Sequence, residues 1–350
     1  MNDTGPESTV PSAAPGGGGA SAGGGRVGLI ERYRERLALA PGTTAVSLGE
    51  GSTPLLHVPR LSARLGIELY VKWEGANPTG SFKDRGMCVA VSQALAEGAG
   101  AVICASTGNT AASAAAYASR AGLRAIVLEP EGAVALGKLA QARAANATVL
   151  AVRGSFDQAL AAARELGTRG THVLVNSVNP FRIEGQKTAA FEIAEELGRV
   201  PDVLALPYGG GGNTRAFFKG FSELGTVPRF LPCQSAERAT TLASAIRISE
   251  PAHAAEVAEA VAASDGTVLT VTDPQIVEAW HLLAHEEGIF CEPASAAGLA
   301  GLLTAGLPPG TQVVCVVTGH GLKDTEAVDR TAPEPVTVDA DPDAIAEAAR

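Results

Sequence analysis

A lysine at a predicted helix start is the residue of this sequence best suited to covalent chemistry. Lys83 follows a turn made by Pro78 and Gly80, in the segment 77–86, NPTGSFKDRG. The positive end of the helix dipole disfavours an ammonium group there, so the pattern predicts a lowered pKa and Schiff-base chemistry for Lys83. From this loop alone, a solvated lysine paired with Asp84 stays open as the alternative.

A polar loop follows the predicted strand at 102–105. Small hydroxyl and amide residues at a helix start present free N–H groups, which suit an anion such as a carboxylate. An ordinary helix N-cap without a ligand is the alternative. The loop contains Ser106, Thr107, Gly108, Asn109 and Thr110.

Consecutive glycines follow the predicted strand at 203–206. Their backbone can close round a phosphate with its N–H groups, although a flexible linker is the alternative. No Gly-Lys-Ser/Thr follows, and the third glycine of G-x-G-x-x-G is absent, so ATP and NAD are disfavoured. The loop contains Gly209, Gly210, Gly211 and Gly212, with Asn213 directly after them.

The predicted strand at 313–317 ends at Thr318, whose hydroxyl is expected to face a cleft. His320 lies between two glycines, and a histidine in that setting is more often structural than a proton carrier.

A segment after the predicted strand at 173–175 contains Asn176, Ser177 and Arg182. These side chains would form a second anion pocket. A surface ion pair of Glu184 with Arg182 or with Lys187 is the alternative.

Strand and helix patterns alternate along the chain, and this predicts an α/β fold of two doubly wound parallel-sheet domains with the active site in the cleft between them. The strand patterns span 69–73, 102–105, 125–128, 149–152, 173–175, 203–206 and 313–317. The helical patterns span 86–97, 111–121, 135–145, 157–166, 186–197, 214–224 and 274–285.

Composition excludes several classes of protein. With 350 residues, 46% hydrophobic and 18% charged, the chain can bury a large core. Its net charge of −10 disfavours binding to nucleic acid or an anionic membrane. The five cysteines form no C-x-x-C pair, so we expect neither a metal site nor a disulfide scaffold. Without an export signal or an apolar run long enough to span a bilayer, the expected location is the cytoplasm.

One chemistry uses all of these loops together. A lysine binds a carbonyl cofactor, a glycine loop binds its phosphate, a hydroxyl faces a ring nitrogen, and a polar loop binds a substrate carboxylate. The sequence therefore predicts pyridoxal 5'-phosphate chemistry on an amino acid.

The motifs also resemble the threonine synthase family, in the tryptophan-synthase-β-like branch of fold type II pyridoxal-phosphate enzymes. The resemblance covers about residues 27–330. The matching segments are GSFKDRG at 80–86, CASTGNTAASAAAYA at 104–118, NSVNPFRIEGQKTAAFEI at 176–193, EPASAAGLAGLL at 292–303 and TGHGLKD at 318–324.

The resemblance implies which residues bind the cofactor. Lys83 would attach to it covalently and then move protons at Cα and neighbouring carbons, and Asn109 would bond its phenolic oxygen. Thr318 would face the pyridine nitrogen. The cofactor phosphate would lie in the loop of Gly209, Gly210, Gly211, Gly212 and Asn213.

The resemblance also implies a substrate and a reaction. Ser106, Thr107 and Asn109 would bind a substrate carboxylate. The phosphate of O-phospho-L-homoserine would be bound by Thr110, Asn176, Ser177 and Arg182. The products would be L-threonine and phosphate, through γ-elimination and addition of water at Cβ, with the leaving phosphate as the base for that water.

The same resemblance implies a domain division and a homodimer. Residues 26–78 and 186–335 would form a large cofactor-binding domain and residues 79–185 a small substrate-binding domain. Residues 1–25, rich in Gly, Pro and Ala, would be a disordered tail, and residues 336–350 a C-terminal tail.

Departures from the family pattern leave an alternative function open. Gly210 stands where the family has an asparagine that reaches the substrate phosphate, and Tyr208 stands where a small valine is common. The stretch between Phe221 and Ala245 is also short. The alternative is therefore a paralogue with a shifted substrate, acting by β- or γ-elimination or replacement, or as a threonine or serine dehydratase.

Overall fold

The computed structural model describes residues 27–131, 139–170, 172–331 and 334–349. The predicted disordered tail, residues 1–25, lies outside the described residues. So does part of the helix predicted at 135–145.

Ten strands alternate with helices along the described chain. The strands are β1 (Leu55–His57), β2 (Glu68–Trp73), β3 (Ala101–Ala105), β4 (Arg124–Pro130), β5 (Thr148–Val152), β6 (Val173–Leu174), β7 (Val203–Pro207), β8 (Arg229–Ser235), β9 (Leu269–Val271) and β10 (Gln312–Val317).

The α-helices lie mainly between the strands. They are α1 (Leu29–Tyr33), α2 (Pro59–Leu65), α3 (Lys83–Ala96), α4 (Asn109–Ala121), α5 (Ala140–Ala144), α6 (Phe156–Thr168), α7 (Pro180–Leu197), α8 (Gly212–Glu223), α9 (Ala254–Ala263), α10 (Asp273–Glu287), α11 (Ala297–Leu302), α12 (Thr325–Thr331) and α13 (Pro342–Ala348).

The strands form two sheets. The larger has the order β1-β2-β10-β7-β8-β9, and the smaller has the order β5-β4-β3-β6. All pairs are parallel except β1 with β2. The predicted α/β fold with two parallel sheets is confirmed.

The central strands are buried because helices cover both faces of each sheet. Every residue of β3 and β7 is buried, and so is all of β10 except Gln312. Their continuous apolar sequence is typical of parallel strands covered on both sides. This core fixes the strand ends, and the loops of the site start at those ends.

The sequence patterns missed three strands, β1, β8 and β9. β1 and β9 have three residues each and lie at the edges of the larger sheet, so they carry little periodic signal. β8 contains Pro232, which lacks a backbone N–H and argues against a strand inside a sheet.

Two helices cross closely through glycines. A Cβ on Gly86 of α3 would lie 2.6 Å from the carbonyl oxygen of Arg182 on α7, and a Cβ on Gly185 would lie 1.8 Å from that of Arg85. Only glycine permits this approach, so the crossing brings the first turn of α7 next to the start of α3.

In the described part of the chain, no helix has both the length and the apolarity to cross a membrane. The domain bounds stated above stay a prediction.

Candidate active site

Two loops of the larger sheet are tied together at the start of α3. The strands β2 and β10 are neighbours, so the segments that follow them leave the same edge of the sheet. The backbone N–H of Phe82 donates to the carbonyl of Thr318 at 3.0 Å, and that of His320 donates to Gly80 at 2.9 Å. These bonds place Lys83, the first residue of α3, beside Thr318.

Lys83 has the lowered pKa that the sequence predicted, but for a different main reason. Burial is the largest cause, and Arg182 adds to it, so the pKa falls to about 7 even though Glu292 acts in the opposite direction. The Nζ atom lies 4.2 Å from the ring centre of Phe82. An amine with this pKa is largely neutral near physiological pH, as a nucleophile must be.

The alternative of an ion pair with Asp84 is not formed among the described residues. Both Asp84 oxygens accept hydrogen bonds from Thr79, at 2.6 Å each, and the Ser113 hydroxyl donates to one of them. Burial raises the pKa of Asp84 to about 6 despite these bonds. Asp84 therefore anchors the turn before Lys83.

Arg182 is a buried cation in the first turn of α7. Its Nη1 donates to the carbonyl of Val175 at 3.0 Å, while its Nε and Nη2 are without partners among the described residues. Burial lowers the pKa of Arg182 to about 10. Glu184 instead binds Lys187 at 2.8 Å, so the ion-pair alternative is formed by Lys187 and not by Arg182.

The glycine loop between β7 and α8 packs closely against the segment that follows β8. A Cβ on Gly209 would lie 3.0 Å from the Cα of Ile246, and Gly211 has a φ of +85°. Where the helix begins, Asn213 Nδ2 and Thr214 Oγ1 are buried without hydrogen-bond partners in the described ranges. Free donors at a helix N-terminus suit a phosphate.

The polar loop after β3 begins α4 without a side-chain cap. The cap residue is Gly108, whose backbone N–H donates to Ser106 Oγ at 3.2 Å. The N-cap alternative therefore does not explain the hydroxyls of this loop. Thr107, Asn109 and Thr110 are partly exposed beside it.

Asn176 fixes the segment after β6 to the end of β3. Its side-chain amide accepts from the Ala105 N–H at 3.0 Å and donates to the Ala105 carbonyl at 2.9 Å. Ser177 and Arg182 follow it, so this pairing brings the second predicted anion pocket next to the polar loop.

Glu292 links the polar loop to the larger sheet. Its two carboxylate oxygens accept from Asn109 Nδ2 at 3.0 and 3.1 Å. Burial raises the pKa of Glu292, and the bond from Asn109 opposes part of that rise. Glu292 therefore holds the Asn109 amide in position at the start of α4.

The comparisons with known proteins agree with this geometry. A family model described as "Pyridoxal-phosphate dependent enzyme" matches residues 46–319. Threonine synthase of Synechocystis sp. is 51% identical over 348 residues, covering 93% of this chain and 91% of that protein. Threonine synthase of Mycobacterium leprae is 49% identical over 337 residues, covering 89% of this chain and 94% of that protein.

The chain belongs to the threonine synthase family of pyridoxal-phosphate dependent enzymes. The resemblance stated from the motifs is confirmed, and so is the cofactor.

Solved structures of this class share the fold. Maize serine racemase superposes with a TM-score of 0.70 at 21% identity, covering 80% of this chain and 91% of that one. The processed form of threonine deaminase isoform 2 from Solanum lycopersicum superposes with a TM-score of 0.70 at 22% identity, covering 80% of this chain and 83% of that one.

The residues present fit pyridoxal phosphate. Lys83 supplies an amine of lowered pKa, and the start of α8 supplies two buried groups, Asn213 Nδ2 and Thr214 Oγ1, that have no partner within the described part of the chain. Thr318 offers a hydroxyl at the end of β10, where Ser295 Oγ lies 3.0 Å from Thr318 Oγ1. A neutral hydroxyl pair at the ring nitrogen would leave that nitrogen less protonated than a carboxylate would.

Sequence reasoning missed three contacts with predicted site residues: that of Glu292 with Asn109, that of Ser295 with Thr318 and that of His253 with Ser177. Glu292 and Ser295 lie in the segment EPASAAGLAGLL. This segment is one of those that resemble the family, but the resemblance did not indicate a role for either residue. His253 carried no signal at all, because it lies in a stretch without periodic pattern or motif. His320, judged more often structural, stacks on Trp73 with ring centres 6.1 Å apart.

Proposed function

We propose that the protein is a lyase that converts O-phospho-L-homoserine and water to L-threonine and phosphate. The observation that carries the proposal is Arg182, a buried guanidinium that lowers the pKa of Lys83 and has two nitrogens without a partner among the described residues. A buried cation without a carboxylate partner suits an anionic substrate group. Relatives that are named threonine synthase support the same reaction.

The cofactor would be held by residues from both sheets. Lys83 would hold it covalently, Asn109 would bond its ring oxygen, and Thr318 would face its ring nitrogen. Its phosphate would lie against Gly209, Gly210, Gly211, Gly212 and Asn213. Bound there, pyridoxal phosphate supplies an electron sink for negative charge that develops on the substrate carbons.

The substrate would be held at both ends. Ser106, Thr107 and Asn109 would bind its carboxylate at the start of α4. Arg182, Ser177 and Thr110 would bind its phosphate. Since both amide ends of Asn176 already bind Ala105, its contribution would be to position the segment.

Lys83 would carry the protons of the reaction. It would take protons from Cα and Cβ and deliver one to Cγ after the Cγ–O bond breaks and phosphate leaves. The hydroxyl of water would then bond to Cβ while the released phosphate takes the other proton of that water, and Lys83 would return a proton to Cα. A pKa near 7 lets one amine both accept and donate protons.

The test is an assay of the cofactor-loaded protein with O-phospho-L-homoserine that follows inorganic phosphate and free threonine in the same tube. We expect the two products in equal amounts. Phosphate with a keto acid in place of threonine would mean elimination without productive addition of water. No phosphate, with the absorption of the bound cofactor intact, would contradict the proposed substrate.

A second candidate is a related amino acid as substrate. It is favoured by Gly210, because a Cβ there would meet only Ile248 Cδ1, at 3.4 Å, and no side chain extends from this position toward the cleft. Restoring an amide with Gly210→Asn distinguishes the two. The gain in turnover of O-phospho-L-homoserine should be small if the parent already uses this substrate, and large if the parent instead prefers an amino acid such as serine or threonine, which is assayed beside it.

We also propose a cytoplasmic homodimer that acts on a small molecule, with neither nucleic acid nor membrane as partner. The expected homodimer follows from the family, and sedimentation of the loaded protein at several concentrations tests it.

A further inference from the structure

His253 lies against the glycine loop. It is the residue before α9, and its side chain is buried. Its backbone N–H donates to the carbonyl of Gly210 at 3.1 Å. A Cβ on Gly212 would lie 3.4 Å from the ring carbon Cδ2, so the imidazole packs beside the loop that would hold the cofactor phosphate.

The far side of the same ring reaches the other sheet. The Nε2 atom of His253 lies 3.2 Å from the carbonyl oxygen of Ser177, in the segment that follows β6. Because a carbonyl oxygen only accepts, Nε2 carries the proton of this bond. The imidazole therefore bridges the glycine loop of the larger sheet and the Ser177 segment of the smaller one.

A charged pair holds the remaining ring nitrogen. Nδ1 lies 3.3 Å from Arg215 Nη1 and 3.3 Å from Glu256 Oε1, and Arg215 forms a salt bridge with Glu256 at 2.9 Å. Arg215 belongs to α8, the helix that starts in the glycine loop. Contacts on two sides thus hold the imidazole in place relative to the glycine loop, and its Nε2–H is directed to the Ser177 segment.

We propose that His253 is a positioning residue that sets the spacing between two anion sites of the cleft. One is the glycine loop, and the other is the Ser177–Arg182 region, which would bind the phosphate of an extended amino-acid substrate. The inference rests on the proposed function for the identity of the second anion. A substrate joined to the cofactor reaches the second site only if the Ser177 segment lies at a fixed distance from the glycine loop.

Two variants separate this role from simple packing. His253→Phe keeps the ring volume without the N–H, and His253→Gln keeps an N–H donor at a similar reach. In His253→Phe we expect KM for O-phospho-L-homoserine to rise roughly three- to tenfold, the effect of one hydrogen bond. Its kcat and its dissociation constant for pyridoxal phosphate should change by less than about twofold, and His253→Gln should restore KM.

A measurement that needs no turnover accompanies the kinetics. Amide hydrogen exchange of the cofactor-loaded protein should become faster in residues 176–182 of His253→Phe and stay as in the parent in His253→Gln. Inorganic phosphate, used as a probe, should bind the loaded His253→Phe protein more weakly by a similar factor.

The outcomes distinguish the two proposals. If the parent protein does not turn over O-phospho-L-homoserine but the exchange and phosphate-binding changes occur, the substrate is wrong and the positioning role stands. Unchanged exchange at 176–182 in His253→Phe would overturn the positioning role. Equal losses of affinity for cofactor and for phosphate would also overturn the positioning role, because the imidazole would then stabilise only the glycine loop and not its spacing from the Ser177 segment.

Discussion

Two regions of this molecule each place one lysine and one arginine inside the protein. One region pairs these cations with carboxylates, and the other, among the described residues, does not. In the first, Arg85 binds Glu74 at 2.7 Å and Glu192 at 2.6 Å, and Lys72 binds Glu192 at 3.1 Å. In the second, the cleft, Lys83 and Arg182 have no carboxylate within salt-bridge distance among the described residues.

The pKa values of the two arginines follow the same contrast. Burial by itself lowers the pKa of Arg85, but Glu192 and Glu74 outweigh it and hold that pKa well above its ordinary value. Burial also lowers the pKa of Arg182, and the coulombic effects of Cys104 and Asp84 offset only part of that decrease. Both guanidinium groups are at most 1% exposed, so the difference lies in their partners.

The difference separates residues of the fold from residues of the site. A buried charge costs free energy of folding unless hydrogen-bonded counter-charges offset that cost. The Arg85 network contains its own counter-charges and therefore joins β2, α3 and α7. Lys83 and Arg182 have no such counter-charges among the described residues. The anionic groups that would pair with these cations are those of the cofactor and the substrate.

Removal of the cleft lysine should give the largest effect. Lys83→Ala is expected to lower turnover by more than about 10³-fold and to remove the absorption of covalently bound cofactor, because no other amine takes its place. Absorption spectra and the phosphate assay measure both, with Lys72→Ala as the contrasting lysine variant. A Lys83→Ala protein with full turnover would contradict the whole cofactor assignment.

Removal of the paired arginine should cost the most stability. Arg85→Met leaves Glu74 and Glu192 buried with reduced compensation, and we expect a loss of about 3–5 kcal/mol in the free energy of unfolding. Thermal and chemical unfolding of the cofactor-loaded protein measure it. Arg182→Met is the matched control and should be as stable as the parent or more so. An equal loss in both variants would remove the distinction between the two regions.

Removal of the cleft arginine should instead weaken substrate binding. Arg182→Met is expected to raise KM for O-phospho-L-homoserine roughly 10- to 150-fold, the loss of about 1.5–3 kcal/mol from a charged hydrogen bond. Titration with pyridoxal phosphate should give nearly the parent dissociation constant. If cofactor and substrate affinity fall together, Arg182 has a structural role.

The smallest expected effect is that of pH on cofactor capture. A lysine with a pKa of about 7 is mostly neutral by pH 7.5, so its reactive fraction hardly increases at higher pH. Capture of pyridoxal phosphate by cofactor-free protein should change less than about twofold between pH 7.5 and 9.5. A lysine of ordinary pKa, near 10.4, would give a rise of roughly 100-fold over the same interval. Stopped-flow absorption distinguishes the two.

Much of the fold could be predicted because its signals are local. Apolar runs such as 102–105 and 313–317 became β3 and β10, and glycine-rich turns marked the strand ends. The start of α7 was placed too late, at Gln186, because Pro180 and Arg182 were assigned to a loop. The structure begins that helix at Pro180, where proline at the first position is favourable.

The candidate site likewise combines features that local sequence predicts with contacts that only the tertiary structure forms. Neighbouring residues were enough to predict that Lys83 lies at or near the start of a helix, that a glycine loop follows β7 and that Ser106, Asn109 and Thr318 lie at or next to strand ends. The contacts of Glu292 with Asn109, 183 positions away, and of His253 with Ser177 came from the packing of the two sheets. The same packing gave Arg85 its partners and, among the residues that the structure describes, left Arg182 without a carboxylate at salt-bridge distance. Local sequence determines the helix, strand or loop position from which a side chain extends. Sheet order and helix crossing determine which distant charged groups lie next to that side chain, and burial then sets its pKa.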